Sequence, residues 1–114
     1  MKLALFAILP LLVSTQATNK ATDKNIADLQ HKAASGDSET AIELFHYYLS
    51  EKNDPSEASF WLRVSAEQGN CVGMIEYGRL LGSALHLHDA RESWFKKAAA
   101  QGCDMSQARR HEVP

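Results

Sequence analysis

The sequence predicts an all-α protein, a short α-solenoid of about two and a half helix-turn-helix repeats. Two observations carry that expectation. One phrase occurs three times, as Ala33-Ala34-Ser35-Gly36-Asp37, Ala66-Glu67-Gln68-Gly69-Asn70 and Ala99-Ala100-Gln101-Gly102-Cys103, so that Gly36, Gly69 and Gly102 recur every 33 residues. Trp61 and Trp94 keep the same interval. A fixed period between about 20 and 50 residues marks a stacked repeat, in which each unit buries its apolar face against its neighbours. The second observation is helical spacing of apolar residues between those glycines, with no alternation of the kind a half-buried strand requires.

Taken in order, residues 18–23 are small and polar and read as a flexible N-terminal tail. Helical spacing begins near Lys24, with Ile26, Ala27, Leu29, Ala33 and Ala34 on one face, and Gly36 ends that helix as its left-handed C′ residue. Ser38 is the expected N-cap of a second helix carrying Ala41, Ile42, Leu44, Phe45, Tyr48 and Leu49 inward. Asn53-Asp54-Pro55 stops that helix and starts a third, because proline suits a first helical turn and disfavours helix just before it. The third helix presents Ala58, Trp61, Leu62, Ser65 and Ala66 to the core and ends at Gly69. A fourth is expected from about Val72 to Leu85, burying Met74, Ile75, Tyr77, Gly78, Leu81 and Leu85. A fifth runs from an N-cap at Asp89 through Trp94, Phe95, Ala98 and Ala99 to Gly102, and Met105 to Arg110 adds a last turn. The register is a half repeat at 24–37, full repeats at 38–70 and 71–103, and a C-terminal stub at 104–110 within a domain spanning 24–110.

Residues 1–17 read as a secretory signal peptide. Lys2 supplies the positive end, Leu3 to Val13 is apolar apart from Pro10, and Thr15 and Ala17 are the small residues of a cleavage site after Ala17. The run is shorter than the roughly 20 apolar residues of a spanning helix, so an uncleaved membrane anchor is the lesser alternative. No cysteine follows it, which excludes a lipid-modified N-terminus. The expected location is periplasmic or secreted, without stable membrane insertion after cleavage. The full chain carries a net charge of −2, and loss of Lys2 makes the remainder one unit more acidic. A weakly acidic chain without a basic stripe is not built for nucleic acid.

Trp61-Leu62-Arg63-Val64-Ser65-Ala66-Glu67-Gln68-Gly69-Asn70 and Trp94-Phe95-Lys96-Lys97-Ala98-Ala99-Ala100-Gln101-Gly102 resemble the Sel-1-like repeat, a relative of the tetratricopeptide repeat. Ala58 stands three residues before Trp61 as that family's pattern asks, whereas Arg91 occupies the corresponding place before Trp94. Tyr77-Gly78 and Leu81-Gly82 are similar to the first-helix positions of the family. Its usual glycine-rich connector is missing from both units, and the 33-residue period is shorter than the family's common one. The resemblance covers about residues 24 to 108. It implies an adaptor acting through protein–protein contacts, with little chemistry of its own.

Cys71 and Cys103 form an even pair behind a secretory signal, which favours a disulfide. Cys71 begins the first helix of its unit and Cys103 follows the second, and those ends lie side by side in an antiparallel pair. Secreted, cysteine-rich relatives tie their helices similarly. Two buried free thiols, or an intermolecular or metal role, are the alternatives. His86-Leu87-His88-Asp89 looks metal-like but has no further ligand in view, whereas a structural zinc wants four; a solvated loop explains it better. Glu43 and His46, one turn apart, read as ordinary surface pairing. No Ser-His-Asp set, phosphate-cradling loop or paired carboxylates can be assembled, so neither enzyme activity nor a cofactor is expected.

A partner is expected along the first helices, where core stripes leave Glu43, His46, Tyr47 and Ser50 outward, followed one period later by Glu76, Arg79, Leu80 and Ser83. Tyr47 and Leu80 are equivalent, and the competing reading places both in the inter-unit core. Three roles fit: a periplasmic adaptor for another envelope protein, an immunity protein neutralising a toxin, and a secreted effector. A β-lactam-binding role, described for some cysteine-containing relatives, finds no nucleophile here. Solenoid ends of this kind suit a monomer or a weak dimer.

Overall fold

The structure, a computed structural model, describes residues 21–108, with nothing described of the Gln107 side chain. The signal-like segment 1–17, residues 18–20 of the tail and residues 109–110 of the stub lie outside the described residues. Among the described residues the chain forms five α-helices packed in sequence, without a strand. They are α1 (Ile26–Ala34), α2 (Ser38–His46), α3 (Pro55–Glu67), α4 (Cys71–Ser83) and α5 (His88–Gln101). A π turn, Tyr47–Glu51, prolongs α2, and a 3-10 turn, Met105–Gln107, follows α5.

The three glycines end α1, α3 and α5 in one way. Gly36, Gly69 and Gly102 have φ of +124°, +85° and +93°. At each, the glycine N–H donates to the carbonyl three residues back, and the next residue donates to the carbonyl five back. The second of these bonds run from Asp37 to Lys32, Asn70 to Ser65 and Cys103 to Ala98, at 3.3, 3.1 and 3.0 Å. Such a reversal needs a residue at ease with positive φ, and it satisfies carbonyls the helix end would otherwise orphan.

Side-chain caps begin the next helices. Asp37, Asp54 and Asn70 accept from the N–H groups of Thr40, Glu57 and Gly73 at 3.1, 3.1 and 3.0 Å. Asp37, not Ser38, therefore caps α2: its carboxylate takes the Thr40 N–H where the helix dipole also favours negative charge. That backbone bond holds the Asp37 carboxyl below its ordinary range. Asp89 is likewise not the cap of α5. The helix starts one residue earlier, at His88, and Asp89 lies in its first turn.

Two clusters form the core. Leu29, Ala33, Ala41, Leu44, Tyr47 and Trp61 close the first, together with Ala21. Ala66, Met74, Ile75, Phe95, Ala98, Cys103 and Ala108 close the second. All five residues expected inward on α3 are buried. Ser65 is fully buried with its hydroxyl donating to the Ser38 carbonyl at 3.2 Å, so its burial leaves no unpaired donor.

Several expected core positions face water instead. Ala27 and Ala34 are exposed on α1. Leu49 is 44% exposed because the π turn, closed by Lys52 N–H to the Tyr47 carbonyl at 3.2 Å, is a residue wider than an α turn and carries Leu49 off the helical stripe. Leu85 is 57% exposed, lying in the connector beyond the end of α4 at Ser83. Ala33 and Ala66 are covered by the helices that follow them, whereas α5 is the last described helix and Ala99 stays exposed. Trp61 is buried but Trp94 is only half-buried.

Candidate functional site

The two first-helix quartets line two hollows. Glu43, His46, Tyr47 and Ser50 border one of about 220 Å³ together with Ala21 and Glu51. Glu76, Arg79, Leu80 and Ser83 border another of about 430 Å³ between α2, α3 and α4. Each residue of the second quartet stands 33 positions after its counterpart in the first, so the sequence period reappears as two walls of matching make-up.

The N-terminal segment borders the first hollow through Ala21, while Asp23 and Lys52 line an adjoining one with Tyr47. Within the segment assigned to the tail, Ala21 is buried and the Thr22 N–H donates to Asn25 Oδ1 at 2.7 Å. The Tyr47 hydroxyl donates to the Asp23 carboxylate, and Lys52 Nζ lies 3.0 Å from the same group. The Tyr47 bond and then the Lys52 ammonium hold the Asp23 carboxyl below its ordinary range, and the Asp23 acceptor pushes the Tyr47 phenol above its own. Tyr47 is thus 6% exposed, a core residue rather than an outward one, because the N-terminal segment lies over it. Of the eight predicted docking residues, Tyr47 is the one the structure removes from the surface. His46, Ser50 and Ser83 are exposed, and Glu43, Glu76, Arg79 and Leu80 are half-buried.

The second hollow is open. Its floor is apolar, built from Phe45 and Leu49 of α2 and its π turn and from Ala58 and Leu62 of α3, with Leu80 as a wall. Its charged edge holds Glu76 and Arg79 of α4 and Arg91 of α5. Arg79 pairs with Glu76 at 3.3 Å, and Arg91 with Glu92 at 3.2 Å. Gly82 explains how Arg91 reaches the hollow from α5. A Cβ at Gly82 would come within 2.7 Å of Arg91 Cδ and 3.2 Å of its Cβ, so only a glycine leaves a lane across α4 for that side chain. Sequence reasoning did not name Phe45, Leu49, Ala58, Leu62, Arg91, Asp23 or Lys52 as site residues. For Arg91 a signal existed, since it replaces the alanine that Ala58 supplies one period earlier.

Cys71 and Cys103 are joined in a disulfide, with Cα atoms 5.6 Å apart, inside the usual span of about 4.4–6.8 Å. It fastens the start of α4 to the second residue beyond α5. The Gln101 amide, beside this bridge, donates to the Gly69 carbonyl at 2.6 Å, and Gln68, one period earlier, donates to the Ala33 carbonyl at 2.8 Å. His86 and His88 are exposed with ring centroids 6.3 Å apart. Among the described residues no three His, Cys, Asp or Glu gather as a metal site would need, and no helix is long and apolar enough to cross a membrane.

The class defined by these features is an all-helical domain of sequentially packed helices, closed by one disulfide and bearing an open apolar hollow. No protein-family model matches the chain, and no solved structure matches it. Over 68 residues it is 34% identical to a protein of Escherichia coli (strain K12) described as the uncharacterized protein YibG. That similarity takes in 60% of this chain and 44% of the E. coli protein, so the chain spans less than half the length of that relative.

Proposed function

We propose that this chain is an exported, non-enzymatic protein–protein interaction module, a short α-solenoid of about two and a half Sel-1-like units that docks a partner protein along its first-helix face. The observation that carries the reading is the offset of the two quartets: residues 33 apart border neighbouring hollows, as successive units of a solenoid would arrange them. The identical glycine reversals at Gly36, Gly69 and Gly102 support the repeat. The disulfide supports an oxidising compartment, the periplasm or the cell exterior.

Affinity capture from the native host tests this reading, comparing the protein with a Leu80→Lys variant that keeps its helix content. A stoichiometric partner bound by the first and lost by the second is the expected result. Capture unaffected by Leu80→Lys overturns the docking face. A captured toxin would make the role immunity, and a captured envelope component would make it an adaptor. Export is tested separately, by fractionation and thiol alkylation of Cys71 and Cys103 without prior reduction. Cytoplasmic recovery with both thiols alkylated overturns it.

A further inference from the structure

The start of α2 and the start of α4 are each fastened to the residue that opens the following unit. Asn70 caps α4, and its side-chain amide also donates to Ser38 Oγ at 3.2 Å and to the Glu39 carboxylate at 2.9 Å, both in the first turn of α2. Cys103 stands 33 positions after Asn70, and Cys71 stands 33 after Ser38. The Cys71–Cys103 disulfide therefore falls on the repeat equivalents of the two residues that share the first bond. Resting on the docking reading above, we infer that Asn70–Ser38 is the reversible counterpart of the disulfide clasp, and that it is the hinge about which α2 and α4 spread to set the width of the open hollow between them.

The correspondence between the two joints runs through the whole unit. At the far ends of α2 and α4 the chain closes alike. The Asp54 N–H donates to the Tyr48 carbonyl at 2.7 Å, and 33 positions later the Leu87 N–H donates to the Leu81 carbonyl at 2.8 Å. Asn53 and His86, again 33 apart, both take positive φ, +50° and +55°. The Asn70–Ser38 contact and the disulfide are therefore compared at the same place in the same turn of chain.

The hinge follows from where the helices touch. Among the described residues α2 and α4 each pack on α3 and share no extensive contact of their own. Their starts converge on Ser65 of α3. Its hydroxyl donates to the Ser38 carbonyl at 3.2 Å, and a Cβ at Gly73 would come within 2.6 Å of that same oxygen. Small residues thus hold both starts tightly against the end of α3, and Asn70 ties one start to the other. At the opposite ends the hollow of about 430 Å³ separates Phe45 and Leu49 from Glu76, Leu80 and Ser83. Two helices pinned at one end and apart at the other swing about the pin, and element-terminal residues are where such motion is absorbed. Strength divides the two joints. A hydrogen bond has a small net worth and reopens readily, whereas a disulfide opens only by exchange with a thiol. The joint beyond α5 is locked, so the freedom is confined to the joint that carries the hollow.

Two independent measurements test the clasp and the hinge, both on the protein with its natural disulfide intact. Ser38→Cys/Asn70→Cys should form a second bridge under mild oxidation, mapped by mass spectrometry of unreduced peptides, with residues 71 and 103 still joined. Residues 38 and 70 both alkylated under those conditions, in a variant of parental helix content, overturn the clasp. The hinge is read by double electron–electron resonance between nitroxides at Ser50→Cys and Ser83→Cys, two exposed positions toward the far ends of the first helices. Adding Ser38→Ala/Glu39→Ala removes the clasp and leaves Asn70 free to cap Gly73. The distance distribution should then broaden and its mean move outward. A distribution unchanged by the loss of the clasp overturns the hinge, and does so whether or not the cysteine variant folds. Neither measurement involves a partner, so failure here leaves the docking face to the Leu80→Lys capture, and a failed capture leaves the clasp and hinge standing on their own readouts.

Discussion

The Tyr47 hydroxyl donates to the Asp23 carboxylate, tying the segment ahead of α1 to the far end of α2. Lys52, at 3.0 Å from Asp23, completes a three-member cluster at the helix–π-turn junction. The Asp23 carboxyl is held below its ordinary range, first by Tyr47 and then by Lys52. A depressed carboxyl contributes stability above its unfolded value, about pH 4, and that contribution is lost as pH falls through the folded value. The Tyr47 phenol is raised, chiefly by Asp23. Its share is present below about pH 10 and is lost as pH rises through the folded value. Tyr47→Phe should therefore lower the urea midpoint most between about pH 4 and pH 10, and match the parent protein at either extreme. A deficit that persists unchanged at about pH 2 would place the role of Tyr47 in its ring packing, not in the bond.

The Cys71–Cys103 disulfide closes a separation of 32 residues and makes the α4–α5 pair its own covalent loop. A crosslink over such a loop stabilises by about 2–4 kcal/mol, mainly by restricting the unfolded chain. Joint replacement by serine should lower stability by about that amount. The denaturant dependence should steepen as well, because the uncrosslinked chain exposes more surface on unfolding. Urea titration with and without reductant reads both effects. Reductant should not move the double-serine variant.

Much of this architecture was legible because the sequence states it locally. A glycine at positive φ, a proline at a first turn and a 3.6-residue apolar stripe each act over a few residues, so α3 is foreseen to the side chain. What was missed depends on other parts of the chain. Tyr47 is buried by Ala21 and held by Asp23, contacts between segments over twenty residues apart. The π turn is a hydrogen-bond choice among Tyr47, Tyr48, Lys52 and Asp54 that apolar spacing does not encode. The candidate site was half visible: the period gave Glu76, Arg79, Leu80 and Ser83, while the floor comes from α2 and α3. The most telling residue, Arg91, sat in view as a break in the repeat. Its meaning appeared only with Gly82 beside it.

Gly73 contrasts with Gly82 on the same helix. A Cβ at Gly73 would lie 2.8 Å from the Ala66 backbone nitrogen and 2.9 Å from the Ser65 carbonyl carbon, so α3 itself would have to shift. Overpacking of a rigid contact costs about 1–3 kcal/mol, more than the helix propensity alanine returns. Gly73→Ala should be destabilised by roughly that amount while Gly82→Ala is not, and thermal melts of the two variants measure the contrast. A neutral Gly73→Ala would mean that α3 and α4 slide apart readily.

Trp61 and Trp94 occupy equivalent repeat positions but unequal surroundings. Trp61 is 6% exposed in the first core cluster, its ring edge-on to Phe60 with centroids 4.9 Å apart. Trp94 is half-buried, in a T-shaped pair with Tyr77 at 5.6 Å between centroids, with Lys97 Nζ over its ring at 4.6 Å from the centroid. Truncating a fully buried tryptophan costs about 3–5 kcal/mol, which approaches the whole stability of a small domain. Trp61→Ala should therefore leave little folded protein, whereas Trp94→Ala should lose less than about 3 kcal/mol and keep its helical circular dichroism. Tryptophan emission reads the same asymmetry. The residual fluorescence of Trp61→Phe, from Trp94, should be redder and more quenchable by iodide than that of Trp94→Phe. Equal quenching would show that something covers the outer face of α5 in solution, either the residues beyond position 108 or a second copy stacked on the end of the helix row.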